Sequence, residues 1–156
     1  MAEKVELDEY DRKILRALQE NADLSMADLG GLIGLSHTPC WRRLKRLETE
    51  GVIRGKVTLL NAKKIDLSVH VHAFVTAKNH DEEALLTFEA AVQSIPEIVE
   101  CYSTSGDKDY VLQIVTNSVG DYDQLLRKTL LKLPNVGGIH STFSLKQIKY
   151  TTQLPI

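Results

Sequence analysis

Arg42, Arg43, Lys45 and Arg46 crowd four cations into a short stretch, and no acid stands between Ser36 and Glu48. Guanidinium groups carry planar, forked donors that suit phosphate oxygens or the exposed edge of guanine. Residues 36–64 hold eight Lys or Arg against two Glu, a net of +6 in a chain whose net charge is −2. Residues 65–156 hold seven basic and eleven acidic residues, a net of −4. A basic segment on an acidic protein faces a polyanion. The plainer reading of such a run is a solvated helix face.

A second group that could do chemistry is Ser103–Tyr110, STSGDKDY. Gly106 permits positive φ and Asp107 can bond its own backbone, so a hairpin turn between the two central strands of the second half is one reading. A small-molecule pocket is the other. Asp107 or Asp109 would take an ammonium group; backbone N–H groups near Gly106, with the Ser141 and Thr142 hydroxyls, would take a carboxylate. Ser141 and Thr142 read equally as routine strand residues.

Other chemistries find less support. His70 and His72 share one side of a strand, with His80 and His140 elsewhere, but no HxxxH or CxxC spacing is present, so no metal is expected. Cys40 and Cys101 are the only cysteines and lie far apart, so both are expected as reduced thiols. Cys40 has Arg42 and Arg43 beside it, as a redox sensor would, yet falls on the core face of its helix, where thiols are inert. Nucleophile elbow, P-loop, HExxH and GxGxxG are all missing. Asp107 with Asp109 could form an acid pair, but nothing beside them suggests a reactive centre. Neither catalysis nor a cofactor is expected.

The elements that position these groups follow from periodicity. Leu7, Tyr10, Ile14 and Leu18 recur at helical spacing and predict a helix over 8–20, with Asp8 and Asp11 at its start. Ser25 with Asp28 opens a short second helix whose buried face is Leu29, Leu32 and Ile33, ended by Gly34. Ser36 caps a third, with Pro39 in its first turn and Gly51 at its end. At 100° per residue, Cys40, Leu44 and Leu47 face the core. Thr38, Arg42 and Lys45 point almost opposite, while Trp41, Arg43 and Arg46 flank.

With no acid interleaved, this third helix is expected to be unpaired and basic, as a recognition helix in a major groove would be. Thr38 and Arg42 are then the base readers, and Arg43, Lys45 and Arg46 the phosphate contacts. Ser36 aims backbone N–H groups at a phosphate. Trp41 either packs on the first helix or touches a DNA sugar. The following VIRGKVTLLN predicts a short strand or wing, with Arg54 and Lys56 either touching phosphate or simply solvated.

Residues 69–156 carry a 38-residue repeat. Ile95-Pro96-Glu97-Ile98 aligns with Leu133-Pro134-Asn135-Val136, and Cys101–Thr104 with Ile139–Thr142. Helical faces Leu85, Phe88, Val92, Ile95 and Tyr122, Leu126, Leu130, Leu133 alternate with strands near 69–77, 98–105, 109–116 and 137–145. The expected architecture is α+β: a helix-turn-helix domain of winged type (1–60), a hinge (61–68) and a ferredoxin-like βαββαβ domain (69–156). Val71, Ala73 and Val75, with Val111, Gln113 and Val115, make both sheet faces partly apolar, which predicts that the uncovered face is buried against a second copy. The N-terminus, MAEKVELDEYDR, has no apolar core, and no apolar run approaches the ~18–20 residues that span a bilayer. A cytoplasmic protein without a membrane partner is expected.

LDEYDRKILRALQENAD, GLSHTPCWRRLKRLETEGVI, SGDKDYVLQI and LPNVGGIHSTFSLKQIK together resemble the Lrp/AsnC family of transcription regulators, over nearly the whole chain. The resemblance implies double-stranded DNA as partner, a homodimer built through the C-terminal domain, assembly into tetramers or octamers, and an amino-acid effector near dimer–dimer contacts. It places the family's Gly-Asp loop on Gly106 and Asp107, and the following Asp-Tyr on Asp109 and Tyr110. Where relatives often carry an aromatic residue between those pairs, this chain has Lys108. Control of amino-acid uptake or breakdown genes is the implied role. A stand-alone amino-acid-binding module would leave the basic helix unexplained.

Overall fold

The computed structural model describes residues 4–156. It divides into two compact units: the chain up to Leu59 together with Lys149–Ile156, and Leu60–Ile148.

In the first unit α1 spans Glu9–Glu20, α2 Met26–Ile33 and α3 His37–Thr49. Asp8 caps α1 reciprocally: Asp11 N donates to its Oδ1 (2.9 Å) and its own N donates to Asp11 Oδ2 (3.1 Å). This satisfies two amides that the first helical turn leaves open. Ser25 caps α2, accepting from Asp28 N at 3.1 Å and donating to the Asp28 carboxylate at 2.6 Å. Gly34 (φ 75°) ends α2 in the left-handed conformation, as Gly51 (φ 70°) does after α3. Ile14, Leu15, Leu29, Ile33, Cys40, Leu44 and Leu47 form the core. Leu32, expected on the buried face of α2, is instead 68% exposed.

The turn between α2 and α3 is tight because Gly30 lets the chain close on itself. Leu35 N donates to Gly30 O at 2.9 Å, and a Cβ on Gly30 would meet Leu35 O at 2.7 Å. Backbone would have to shift, so Gly30→Ala should lose about 1–3 kcal/mol. Urea unfolding checks this against Gly31→Ala, whose Cβ would enter open space.

The segment after Gly51 does not form the expected strand. Residues 54–60 are exposed and carry no regular structure. A wing strand needs a partner strand, and the described residues of this unit supply none. Lys56 is exposed, and its Nζ donates to Ala22 O at 2.5 Å. Residues 149–156, expected with the second domain, belong to the first unit. Gln19 clasps Leu154 through both ends of its amide (2.6 and 3.2 Å), Arg16 Nε donates to Ile156 O at 2.7 Å, and Ile156 packs against the helical core.

The second unit holds β1 (Val69–Ala77), α4 (Glu82–Val92), β2 (Ile98–Ser103), β3 (Tyr110–Thr116), α5 (Val119–Lys128) and β4 (Val136–Phe143), with short 3-10 turns at Ala62–Ile65 and Leu130–Lys132. All strands pair antiparallel in the order β2-β3-β1-β4. That is the split βαβ order. It makes β2 an edge strand, so Ser103–Tyr110 joins an edge to the centre rather than two central strands. Val71, Ala73, Val75, Leu112 and Ile114 pack with Phe88, Val92, Tyr122 and Leu130 under the helices. Alternation sends His70, His72, Phe74, Val111, Gln113 and Val115 to the other face, where they are half-buried. Of Val71, Ala73, Val75, Val111, Gln113 and Val115, only the last three lie on this uncovered face; the first three are buried under the helices.

Tyr110 ties the central strand to α4. Its hydroxyl donates to Glu89 Oε1 at 2.9 Å. Burial, aided by that carboxylate, pushes its pKa from 10 up to about 12. A phenol that resists ionisation only when folded stabilises the fold fully below pH 10 and stops doing so as pH rises toward 12. Stability should fall by roughly 2 kcal/mol across that window. Denaturant titrations at stepped pH check it, with Tyr110→Phe flattening the profile.

Candidate nucleic-acid interface

Helix α3 begins at Ser36, whose backbone is extended (φ −70°, ψ 164°) and whose side chain makes no capping hydrogen bond. Its hydroxyl and the first amides of α3 therefore remain available to an oxygen of a ligand. Thr38, Arg42 and Lys45 are exposed along the outward side. Arg42 has no ion-pair partner among the described residues. Trp41 is 47% exposed and is not among the buried residues of the unit's core.

The expectation that α3 is unpaired is corrected for its other cations. Arg43 NH1 bonds Asp8 Oδ2 at 2.6 Å and Asp11 Oδ1 at 2.9 Å, and lies over the Tyr10 ring at 5.3 Å. Arg46 bonds the other Asp11 oxygen and approaches Glu50 at 3.9 Å. Lys45 pairs with Glu48 at 2.7 Å. The acids that hold Arg43 and the buried oxygen that holds Arg46 come from the start of α1, far away in sequence. Asp11 itself is buried, its side chain 1% exposed. The Asp11 amide and Arg43 hold the Asp8 carboxyl below its ordinary range, and the carboxylates raise both guanidinium groups above theirs. Cys40 is wholly buried, and burial pushes its thiol up, away from the reactive thiolate.

In the second unit Gly106 takes φ 129° at the tip of the loop, and Asp107 beside it is exposed. Thr104 N donates to Asp109 O at 2.8 Å, and Thr104 Oγ1 to Lys108 O at 2.6 Å. Asp109 turns inward. Its Oδ2 accepts from Ala77 N at 2.7 Å and its Oδ1 meets His80 Nε2 at 2.8 Å. The Ala77 amide, then His80, lowers its pKa. Ser141 is bonded by Tyr122 OH at 2.5 Å on the helix side, whereas Thr142, one residue on, faces the open side opposite His72.

Gly106, Asp107, Asp109, Ser141 and Thr142 thus do not converge on one pocket within a protomer. Strand alternation separates the two hydroxyls, and Asp109 already serves the backbone. A cavity of about 630 Å³ lies at the other end of the sheet, lined by Leu67, Pro96, Glu97, Gln124 and Lys128 among others. It is not at the Gly106 loop. Sequence reasoning missed Asp8 and Asp11 as partners of α3 and His80 as partner of Asp109. The carboxylates at the head of α1 were visible only as a helix start.

Residues 7–54 match the model of a winged helix-turn-helix DNA-binding domain, and residues 70–154 that of the Lrp/AsnC ligand binding domain. The chain belongs to the Lrp/AsnC family of DNA-binding transcriptional regulators. Among relatives of this regulator, the glutamate uptake regulatory protein of Zymomonas mobilis is 40% identical over 152 residues, covering 96% of this chain and 91% of the relative. The crystal structure of an AsnC family transcriptional regulator from Agrobacterium tumefaciens superposes with TM-score 0.91 at 43% identity, covering 96% and 97% of the two chains. A Neisseria meningitidis transcriptional regulator, solved as its L-Met complex, also reaches 0.91, at 36% identity over 96% and 97%. The residues matched to the DNA-binding model include the whole of α3, whose outward side carries Thr38, Arg42 and Lys45.

Proposed function

We propose that α3 enters the major groove of an operator with Thr38 and Arg42 at base edges. Ser36 and Trp41 meet the sugar-phosphate backbone, and Lys45 leaves Glu48 for a phosphate. The observation that carries this reading is the exposed guanidinium of Arg42, which has no ion-pair partner among the described residues, on the side of α3 away from the core. Arg43 and Arg46 are turned toward α1 and do not join this strip.

An amino acid modulates the regulator from the Gly106 loop. Gly106 and Asp107 are exposed there, and the two nearby relatives bear glutamate uptake and L-Met in their names. Neither name sets the effector of this chain. Asp107, rather than the occupied Asp109, is the group open to an ammonium. Because Ser141 and Thr142 lie apart from the loop, a second copy completes the site, with Thr142 available on the open sheet face. That half-buried face, rich in Phe74, Val111 and Val115, is the dimer contact, and dimers assemble further into tetramers or octamers. The protein works by binding rather than catalysis, in the cytoplasm, on genes of amino-acid uptake or breakdown; among the described residues no helix is long and apolar enough to cross a membrane.

A gel shift on the protein's own upstream intergenic DNA, with and without a panel of amino acids, tests this. Binding should weaken steeply with salt, and one or a few amino acids should shift the midpoint. Salt-insensitive binding, or identical midpoints across the panel, would count against the operator or effector half respectively.

A further inference from the structure

The two arginines that flank the reading strip are already neutralised. Arg43 is held by Asp8 and Asp11 together, and Arg46 by the remaining oxygen of Asp11 and by Glu50. Asp11 is buried and cannot swing away without opening the core, whereas Asp8 is half-exposed. The two carboxylates also cap α1, so their positions are fixed by the backbone of that helix. Arg43 engages both carboxylates through NH1 and Arg46 engages Asp11 through NH2, so a phosphate that took either arginine as its counter-ion would draw it from a preorganised carboxylate and leave the buried Asp11 charge less compensated.

The geometry points to the Asp8–Asp11 pair as an internal substitute for DNA phosphate. It withholds Arg43 and Arg46 from the duplex and uses them to set the pose of α3. Asp11 is then a positioning residue for DNA reading, and the helix spends fewer cations on sequence-independent attraction than its composition suggests. Less non-specific attraction leaves a larger share of the discrimination to Thr38 and Arg42. This rests on α3 being the helix that faces DNA.

The salt dependence of binding reads out the number of phosphates engaged, with a slope of about 0.9 per contact in log K against log salt. The full-length protein is titrated by anisotropy onto a random-sequence duplex of about 30 base pairs, between about 50 and 200 mM KCl. Arg43→Gln and Arg46→Gln should lower the melting temperature yet keep the native slope, because neither arginine touches phosphate. Asp8→Asn with Asp11→Asn should steepen the slope by up to about 0.9 for each freed arginine, since Asn caps a helix as well as Asp while removing the charge. Adding Arg43→Gln to that double variant should cancel its share of the gain, which a purely structural effect would not produce. A flatter slope on Arg43→Gln or Arg46→Gln in the native background overturns the proposal. So does a native slope in the folded Asp8→Asn, Asp11→Asn protein, whatever Arg42→Gln does. Should the double variant fail to fold, the two Gln variants decide.

Discussion

Asp11→Ala should remove roughly 2–4 kcal/mol from the DNA-binding unit, a large fraction of what a domain this size possesses. The side chain is almost wholly buried and serves three donors at once: the Asp8 amide, Arg43 and Arg46. Alanine abolishes half of a reciprocal helix cap and strands two guanidinium groups beside an apolar core. The full penalty of a broken buried ion pair is not expected, because both arginines reach water at their outer edges and Arg43 retains Asp8. Urea titration followed at Trp41 is the measurement, since that ring sits on the helix the pair holds. An unchanged midpoint would mean that the helical core alone sets the angle of α3.

Arg42→Ala should do the reverse. Arg42 is exposed and makes no ion pair among the described residues, so its loss leaves the melting temperature where it is. Affinity for a specific operator should drop by about 1–3 kcal/mol, or roughly 5- to 150-fold, if the guanidinium pairs bidentately with guanine. Discrimination should relax at one base position while the rest of the footprint persists. Anisotropy with operator and scrambled duplexes separates this from loss of a phosphate contact, which would weaken both equally. The two variants are expected to be opposites: loss of the acid should weaken the fold, and loss of the base should weaken DNA reading alone.

The helices of the first unit were legible because amphipathic spacing and caps are local. Cys40, Leu44 and Leu47 fall on one side of a helix by arithmetic alone, and they are the buried residues of α3. β1 was equally plain, since its burial alternates from His70 to Ala77. The repeat centred on Pro96 and Pro134 announced two matching helix-to-strand joints, and Ile95 and Leu130 are buried beside them. The lack of a regular strand after Gly51 was not legible: β-branched residues in 52–60 satisfy a strand pattern, but a strand exists only where another strand accepts its hydrogen bonds.

The candidate effector residues show the same limit. STSGDKDY marked a turn with carboxylates, which it is, but not which carboxylate was spoken for. Asp109 is claimed by the Ala77 amide and His80, from a strand end and a loop some thirty residues upstream. Ser141 and Thr142 are neighbours in sequence and therefore opposites in space once they enter a strand.

From the chain of letters alone came the periodic and the local: which residues form helices and strands, which sides are apolar, where the cations gather, and the family these features resemble. Tertiary structure alone decided which charges are satisfied. Charge pairing depends on distance through space, and only folding brings the head of α1 against the flank of α3. That meeting turns a helix of four loose cations into one in which, among the described residues, only the Arg42 guanidinium has no ion-pair partner.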